Sequence, residues 1–127
     1  MTLNWAISSE NLLITARGAG PLSFKDVDDF HTAIAGAEVL AYRRYVDLSC
    51  SEPAMTYDEI MLLAARTRGL HQRGQMGALA IVVGPTMFEV AKPLFGVLAC
   101  ANRPMRLFSG PMMAQRWIGS VSSRMQH

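Results

Sequence analysis

The side chains with chemistry to offer are Asp47, Ser49, Cys50, Ser51, Thr56 and Glu59. Asp47 sits in Tyr45-Val46-Asp47-Leu48, a short run that reads as a buried strand. A carboxylate at the end of a strand in an open α/β sheet lies where ligands bind, and could act as acid, base or switch. The favoured reading is plainer: a carboxylate hydrogen-bonded to loop N–H groups, as buried polar groups normally are. Cys50 falls in the expected loop among Ser49 and Ser51, and a thiolate nucleophile there would need a base such as His31 or His71. His31 belongs to the first helix and His71 to the end of the second, so neither is placed beside it. Cys50 therefore reads as an inert loop thiol. Thr56-Tyr57-Asp58-Glu59 matches a capping box, in which the Thr hydroxyl and the Glu carboxylate each satisfy an orphan N–H at a helix start.

Other motifs fail on spacing. His31, His71 and the terminal His127 show no i, i+4 pair, and Cys50 and Cys100 form no CxxC or zinc pattern. No metal and no cofactor is expected. Gly18-Ala19-Gly20 is followed by Pro21 with no third glycine opening a helix, so it reads as a turn and not as a nucleotide-binding loop. Arg66, Arg68 and Arg73 gather at a helix end, where cations suit the dipole. An anionic partner for them is the less favoured reading.

The elements that must position these residues follow from patterning. Residues 5–7 and 12–16 are apolar runs around Ser8-Ser9-Glu10-Asn11 and predict a hairpin, with Gly18-Ala19-Gly20-Pro21 ending its second strand. Ser23 precedes Phe24, Val27, Phe30, Ala33 and Ile34 at helical spacing, which predicts a helix over 24–36. Residues 45–48 predict a strand ending at Ser49, and Ile60, Leu63, Ala64 and Thr67 a helix from the capping box to about Gly69 or beyond. Leu79-Ala80-Ile81-Val82-Val83 is apolar at every position, as a strand covered on both faces must be. Pro85 can open a helix containing Phe88, Ala91, Phe95, Leu98 and Cys100, with a kink at Pro93. Met105-Arg106-Leu107-Phe108 predicts a last strand, and Met113, Ala114, Trp117, Ile118 and Val121 a final helix on the core. The order β-β-α-β-α-β-α-β-α predicts an α/β fold with a mixed, mostly parallel sheet.

Composition sets outer bounds. The 127 residues suit one domain, 1–127, that needs neither disulfides nor a metal to hold it. Half the chain is apolar and 17% is charged, which excludes disorder. Twelve cations against ten carboxylates leave +2, too even for a nucleic-acid partner. The longest uncharged apolar stretch, residues 74–88, is broken by glycines and a proline and falls short of the ~20 residues that span a bilayer. No secretory signal opens the chain, so a cytoplasmic location with reduced thiols is expected. Nine methionines could fill core gaps, the favoured reading, or line an adaptable interface or pocket.

The order of the elements, with Trp5-Ala6-Ile7, Tyr45-Val46-Asp47-Leu48, Thr56-Tyr57-Asp58-Glu59, Ala80-Ile81-Val82-Val83 and Arg106-Leu107-Phe108, Ala114 and Trp117, resembles the STAS domain in its SpoIIAA-like branch. More narrowly it is similar to small single-domain proteins of the STAS/SEC14 type. In signalling members, a strand ending in Asp-Leu leads to an Asp-Ser-Ser-Gly turn whose first Ser is phosphorylated. Asp47-Leu48 match the strand, whereas Met55, Thr56, Tyr57 and Asp58 stand at the turn. The resemblance thus implies Thr56 as the one candidate phosphoacceptor, and a helix cap is the favoured reading of it. It implies a non-catalytic regulatory or protein-interaction module working through Asp47, Ser49, Cys50, Ser51 and Glu59. The partner expected is another protein or a second copy of the chain, since a small half-apolar chain often hides surface by pairing as a homodimer. The alternative it implies is a carrier of a small apolar ligand or lipid. An enzyme ranks last, because no nucleophile–base–orienter set can be assembled.

Overall fold

The computed structural model describes residues 3–73, 76–85, 88, 92 and 104–121. Turn-forming residues 9–12 fold β1 (Leu3–Ser8) back on β2 (Leu13–Leu22) as an antiparallel hairpin with Trp5 opposite Ala16. The Ser8 hydroxyl accepts the Asn11 N–H at 3.2 Å, and Leu12 takes up the left-handed conformation that closes the turn (φ 53°). Ser23 then caps α1 (Phe24–Gly36): its Oγ accepts the Asp26 N–H at 3.2 Å, and the Asp26 carboxylate accepts the Ser23 N–H at 3.4 Å. β3 (Arg43–Pro53), α2 (Tyr57–Arg73), β4 (Leu79–Val83), β5 (Met105–Phe108) and α3 (Pro111–Ser120) follow. The sheet order is β1-β2-β3-β4-β5, and every pairing after the hairpin is parallel.

Alternation along the strands makes two cores. On one face Ile14, Ala16, Val46 and Leu79 pack against Phe30 and Ile34 of α1. On the other, Tyr45, Ala80, Val82 and Phe108 pack against Ala114 and Ile118 of α3. The Phe108 and Trp117 rings lie 5.9 Å apart across that contact. The return from α2 to β4 passes so close to the preceding loop that a Cβ on Gly77 would strike the carbonyls of Tyr42 and Ala41, so only glycine fits there.

Three expectations need correcting. β2 does not end at Gly18-Ala19-Gly20-Pro21: it runs on to Leu22, paired with β3 from Ala19 opposite Cys50 to Leu22 opposite Pro53. Gly20 supplies the positive φ (77°) this stretch requires. Pro21 is tolerated because β1, among the described residues, reaches β2 only as far as Gly18 and leaves an open edge beyond. For the same reason Ser49, Cys50 and Ser51 are strand residues, not loop residues, since the two irregular segments supply each other's ladder. Met113 is 67% exposed, because the short α3 docks through Ala114 and Ile118 and Met113 falls beside that stripe. Of the helix expected over 85–101, Pro85, Phe88 and Lys92 are helical; the rest, with Pro93 and Cys100, lies outside the described residues, as does His127.

Helix α3 has no basic residue in its own last turn. Arg43 at the start of β3 supplies one from outside, donating from Nη1 to the carbonyls of Ile118 (2.9 Å) and Val121 (3.4 Å). Its Nη2 donates to Asn11 in the hairpin turn at 2.7 Å. One guanidinium therefore satisfies orphan carbonyls at a helix C-terminus and ties three elements together. Replacing it, Arg43→Met, should lower stability by about 1.5–3 kcal/mol in denaturant unfolding, the range for hydrogen bonds to a charged group. Exchange of the α3 amides should quicken with it. Unchanged stability would contradict this role.

Candidate functional site

The residues singled out in the sequence divide between the two faces of the sheet. Between Arg17 opposite Asp47 and Ala19 opposite Cys50, β2 advances two residues while β3 advances three, so Leu48-Ser49 form a bulge opposite Gly18. A bulge leaves ladder groups unmatched. Asp47 meets that need: its Oδ1 accepts the Ser49 N–H at 3.0 Å and the Ser49 hydroxyl at 2.6 Å. Its carboxylate pins the bulge, on the sheet face that carries Val82 and α3. Cys50 is an exposed free thiol just beyond, and Ser51 is half-buried.

Thr56 and Glu59 begin the other group. The Thr56 hydroxyl accepts the Glu59 N–H at 3.2 Å, and Glu59 Oε1 accepts the Thr56 N–H at 2.9 Å. This is the reciprocal capping box the spacing predicts. Glu59 is thereby committed to the helix start. Past the cap, α2 buries Leu63, Ala64 and Thr67 and presents Tyr57, Met61 and Leu62 to solvent. Arg66 is not a loose helix-end cation. It bonds both oxygens of Asp28 at 2.7 Å and stacks over the Phe24 ring at 5.4 Å, joining α2 to α1.

Beneath that junction lies a cavity of about 160 Å³. The sheet contributes Val46 and Ile81 to its wall, α1 contributes Val27 and Phe30, and α2 contributes Leu63 and Thr67. Met55 and Met105 also line it. Set into this apolar wall is Arg44, only 1% exposed. Thr67 directs its hydroxyl to the Leu63 carbonyl at 2.9 Å. His31 lies both in the cavity wall and in a wider groove of about 550 Å³ between α1 and α2, which Asp28 and Arg66 also line.

Sequence reading missed Arg44 because it began the strand at Tyr45. The signal was present in the register: Arg44, Val46 and Leu48 alternate onto the same apolar face. Among the described residues the helical wall of the cavity comes from α1 and α2. Among the described residues no cluster of three or more His, Cys, Asp or Glu side chains comes together, and no helix is long and apolar enough to cross a membrane.

No protein-family model matches the chain, and no curated protein matches it in sequence. Among solved structures, it is similar to an uncharacterized protein of the DUF3478 family with a SpoIIAA-like fold, from Shewanella loihica PV-4. The two superpose with a TM-score of 0.58 at 12% identity, over 91% of each chain. The chain has a SpoIIAA-like fold. The expected α/β class and the STAS-like resemblance are therefore borne out at the level of fold. In this SpoIIAA-like arrangement β3 is the central strand, flanked by a parallel partner on each side.

Two measurements follow from these environments. Thr56→Ala should lower stability by about 1 kcal/mol, whereas Thr56→Asp, an equally good cap, should change it little. A loss with Asp as large as that with Ala would contradict the capping role. On the α3 face, burial and then the Asp47 carboxylate raise the Tyr45 hydroxyl above its ordinary 10.0, with the Gln115 side chain and then Arg17 partly opposing. An acid whose native pKa is raised keeps its proton longer folded than unfolded, so its contribution is complete below pH 10 and is lost as pH rises beyond it. A late tyrosine titration in ultraviolet absorbance should be lost in Tyr45→Phe, and that variant should flatten the alkaline fall in stability. A fall equally steep in that variant would contradict it.

Proposed function

We propose that residues 1–127 form one domain acting as a non-catalytic regulatory or protein-interaction module, cytoplasmic, with another protein or a second copy as partner. The observation that carries this reading is the exposed apolar group at the start of α2: Tyr57 at 66%, Met61 at 36% and Leu62 at 45% exposure. Positions 57 and 61 are neighbours one turn apart, and exposed Leu62 follows Met61 about 100° further round the helix. Large apolar side chains gathered in this way mark interaction sites more often than scattered ones do. The group begins four residues past the end of β3, whose outer half carries exposed Ser49 and Cys50. The balanced charge supports a protein partner over nucleic acid. Thr56, Glu59 and Asp47 each hold local structure, which supports a non-catalytic role.

A second reading, carriage of a small apolar ligand, is favoured by the cavity under α1 and α2. At about 160 Å³ it lies below the ~300–1,000 Å³ of sites for drug-sized ligands, so a small molecule suits it and a long-chain lipid does not.

A photo-crosslinking amino acid at position 57 tests the first reading in host cells. The otherwise unchanged chain should form a defined adduct, with itself or one protein. The same chain carrying Leu62→Glu should lose it while its melting temperature holds. Failure to form an adduct, or its persistence with Leu62→Glu, would contradict this interface.

A further inference from the structure

We propose that the cavity between the sheet and helices α1 and α2 binds a small monocarboxylate, with the Arg44 guanidinium holding the carboxylate and a short apolar tail lying against Phe30 and Leu63. The proposal rests on the second reading above in one respect, that the cavity admits a ligand. It then names the ligand's chemistry.

Size comes first. A space of about 160 Å³ is close to the engineered apolar cavity of ~150 Å³ that accepts benzene, so the whole ligand, carboxylate included, is little larger than benzene. The wall comes next. Val27, Phe30, Val46, Leu63 and Ile81 offer apolar contact, and Thr67 turns its hydroxyl back to its own helix. Charge decides the head group. Arg44 is the only permanently charged side chain among the described lining residues, and it is 1% exposed.

A guanidinium stays protonated at any physiological pH and presents five N–H donors in a planar fork. It can keep bonds to the protein and still offer a planar carboxylate two parallel hydrogen bonds. Attraction to an anion is strong there because the surroundings are of low dielectric. A phosphate dianion would bring more charge than one guanidinium neutralises. An inorganic anion would leave the apolar wall empty. A monocarboxylate with a short tail satisfies both ends.

His31 lines both the cavity and the groove between α1 and α2, and the Arg66–Asp28 bridge joins the two helices at that groove.

Methionine methyl NMR provides reporters already in place. Met55 and Met105 line the cavity, whereas Met112 and Met113 are exposed on α3 across the sheet and serve as controls. Pentanoate and its neutral isostere pentanamide are titrated separately, with toluene as a purely apolar probe. Pentanoate should shift Met55 and Met105 saturably, leave Met112 and Met113 in place, and bind at least tenfold tighter than pentanamide. Arg44→Met should abolish that preference. If that variant does not fold, Arg44→Lys, which keeps the charge but not the fork, should weaken pentanoate severalfold and pentanamide little. Equal binding of acid and amide, or a preference that survives both variants, would overturn the carboxylate assignment while leaving small-ligand carriage standing. No shift at Met55 or Met105 with any of the three probes would overturn both.

Discussion

The structure depends on the geometry of its crossovers. Strands β2, β3 and β4 are laid down side by side in chain order and run parallel, so each connection must pass over a face of the sheet. Two such crossovers sharing one hand put α1 and α2 on the same face. The opposite face is left for α3, the helix that ends the described chain. Among the described residues two unlike spaces are filled, one under the crossover helices α1 and α2 and the other under the ten-residue α3.

Central strand β3 serves both spaces, and its first two residues show how. Arg43 and Arg44 are adjacent, so their side chains leave on opposite faces. Arg43 reaches the C-terminus of α3 and fastens it to the hairpin turn. Arg44 goes under α1 and α2 and is enclosed. The same residue type is therefore a clamp on one side and a buried charge on the other. Six residues on, the strand changes character at the bulge, where Asp47 bonds Ser49 and the ladder resumes one residue out of step with β2. That shift carries Ser49, Cys50 and Ser51 along the sheet toward the start of α2.

What the sequence made legible, and what it hid, has a common physical cause. β4 is apolar at five positions, and α1 begins at a Ser-x-x-Asp cap; such local patterns leave few alternatives, and both were found where expected. The Thr56–Glu59 box was equally plain, because both of its bonds are made within one turn. By contrast, the outer half of β2, with its two glycines and a proline, has no strand pattern of its own. It exists as a strand because the polar end of β3 pairs with it, a relation visible only once the two are aligned. Arg44 was hidden for a related reason. An arginine before a strand is ordinarily a solvated flank, and only the register makes it an interior residue. The faces occupied by Tyr45 and Asp47 on one side, and Thr56 and Glu59 on the other, likewise depend on crossovers that no local pattern encodes.

A buried guanidinium beside apolar space is the most demanding arrangement in the molecule, since a charge removed from water needs good partners to persist. A crystal structure after soaking with 5-bromopentanoate tests it most directly. The account predicts anomalous bromine density among Phe30, Leu63 and Val46, with the carboxylate meeting the Arg44 fork. Leu63, Met55 and Met105 closed over Arg44 with no intervening space and no bromine would contradict it.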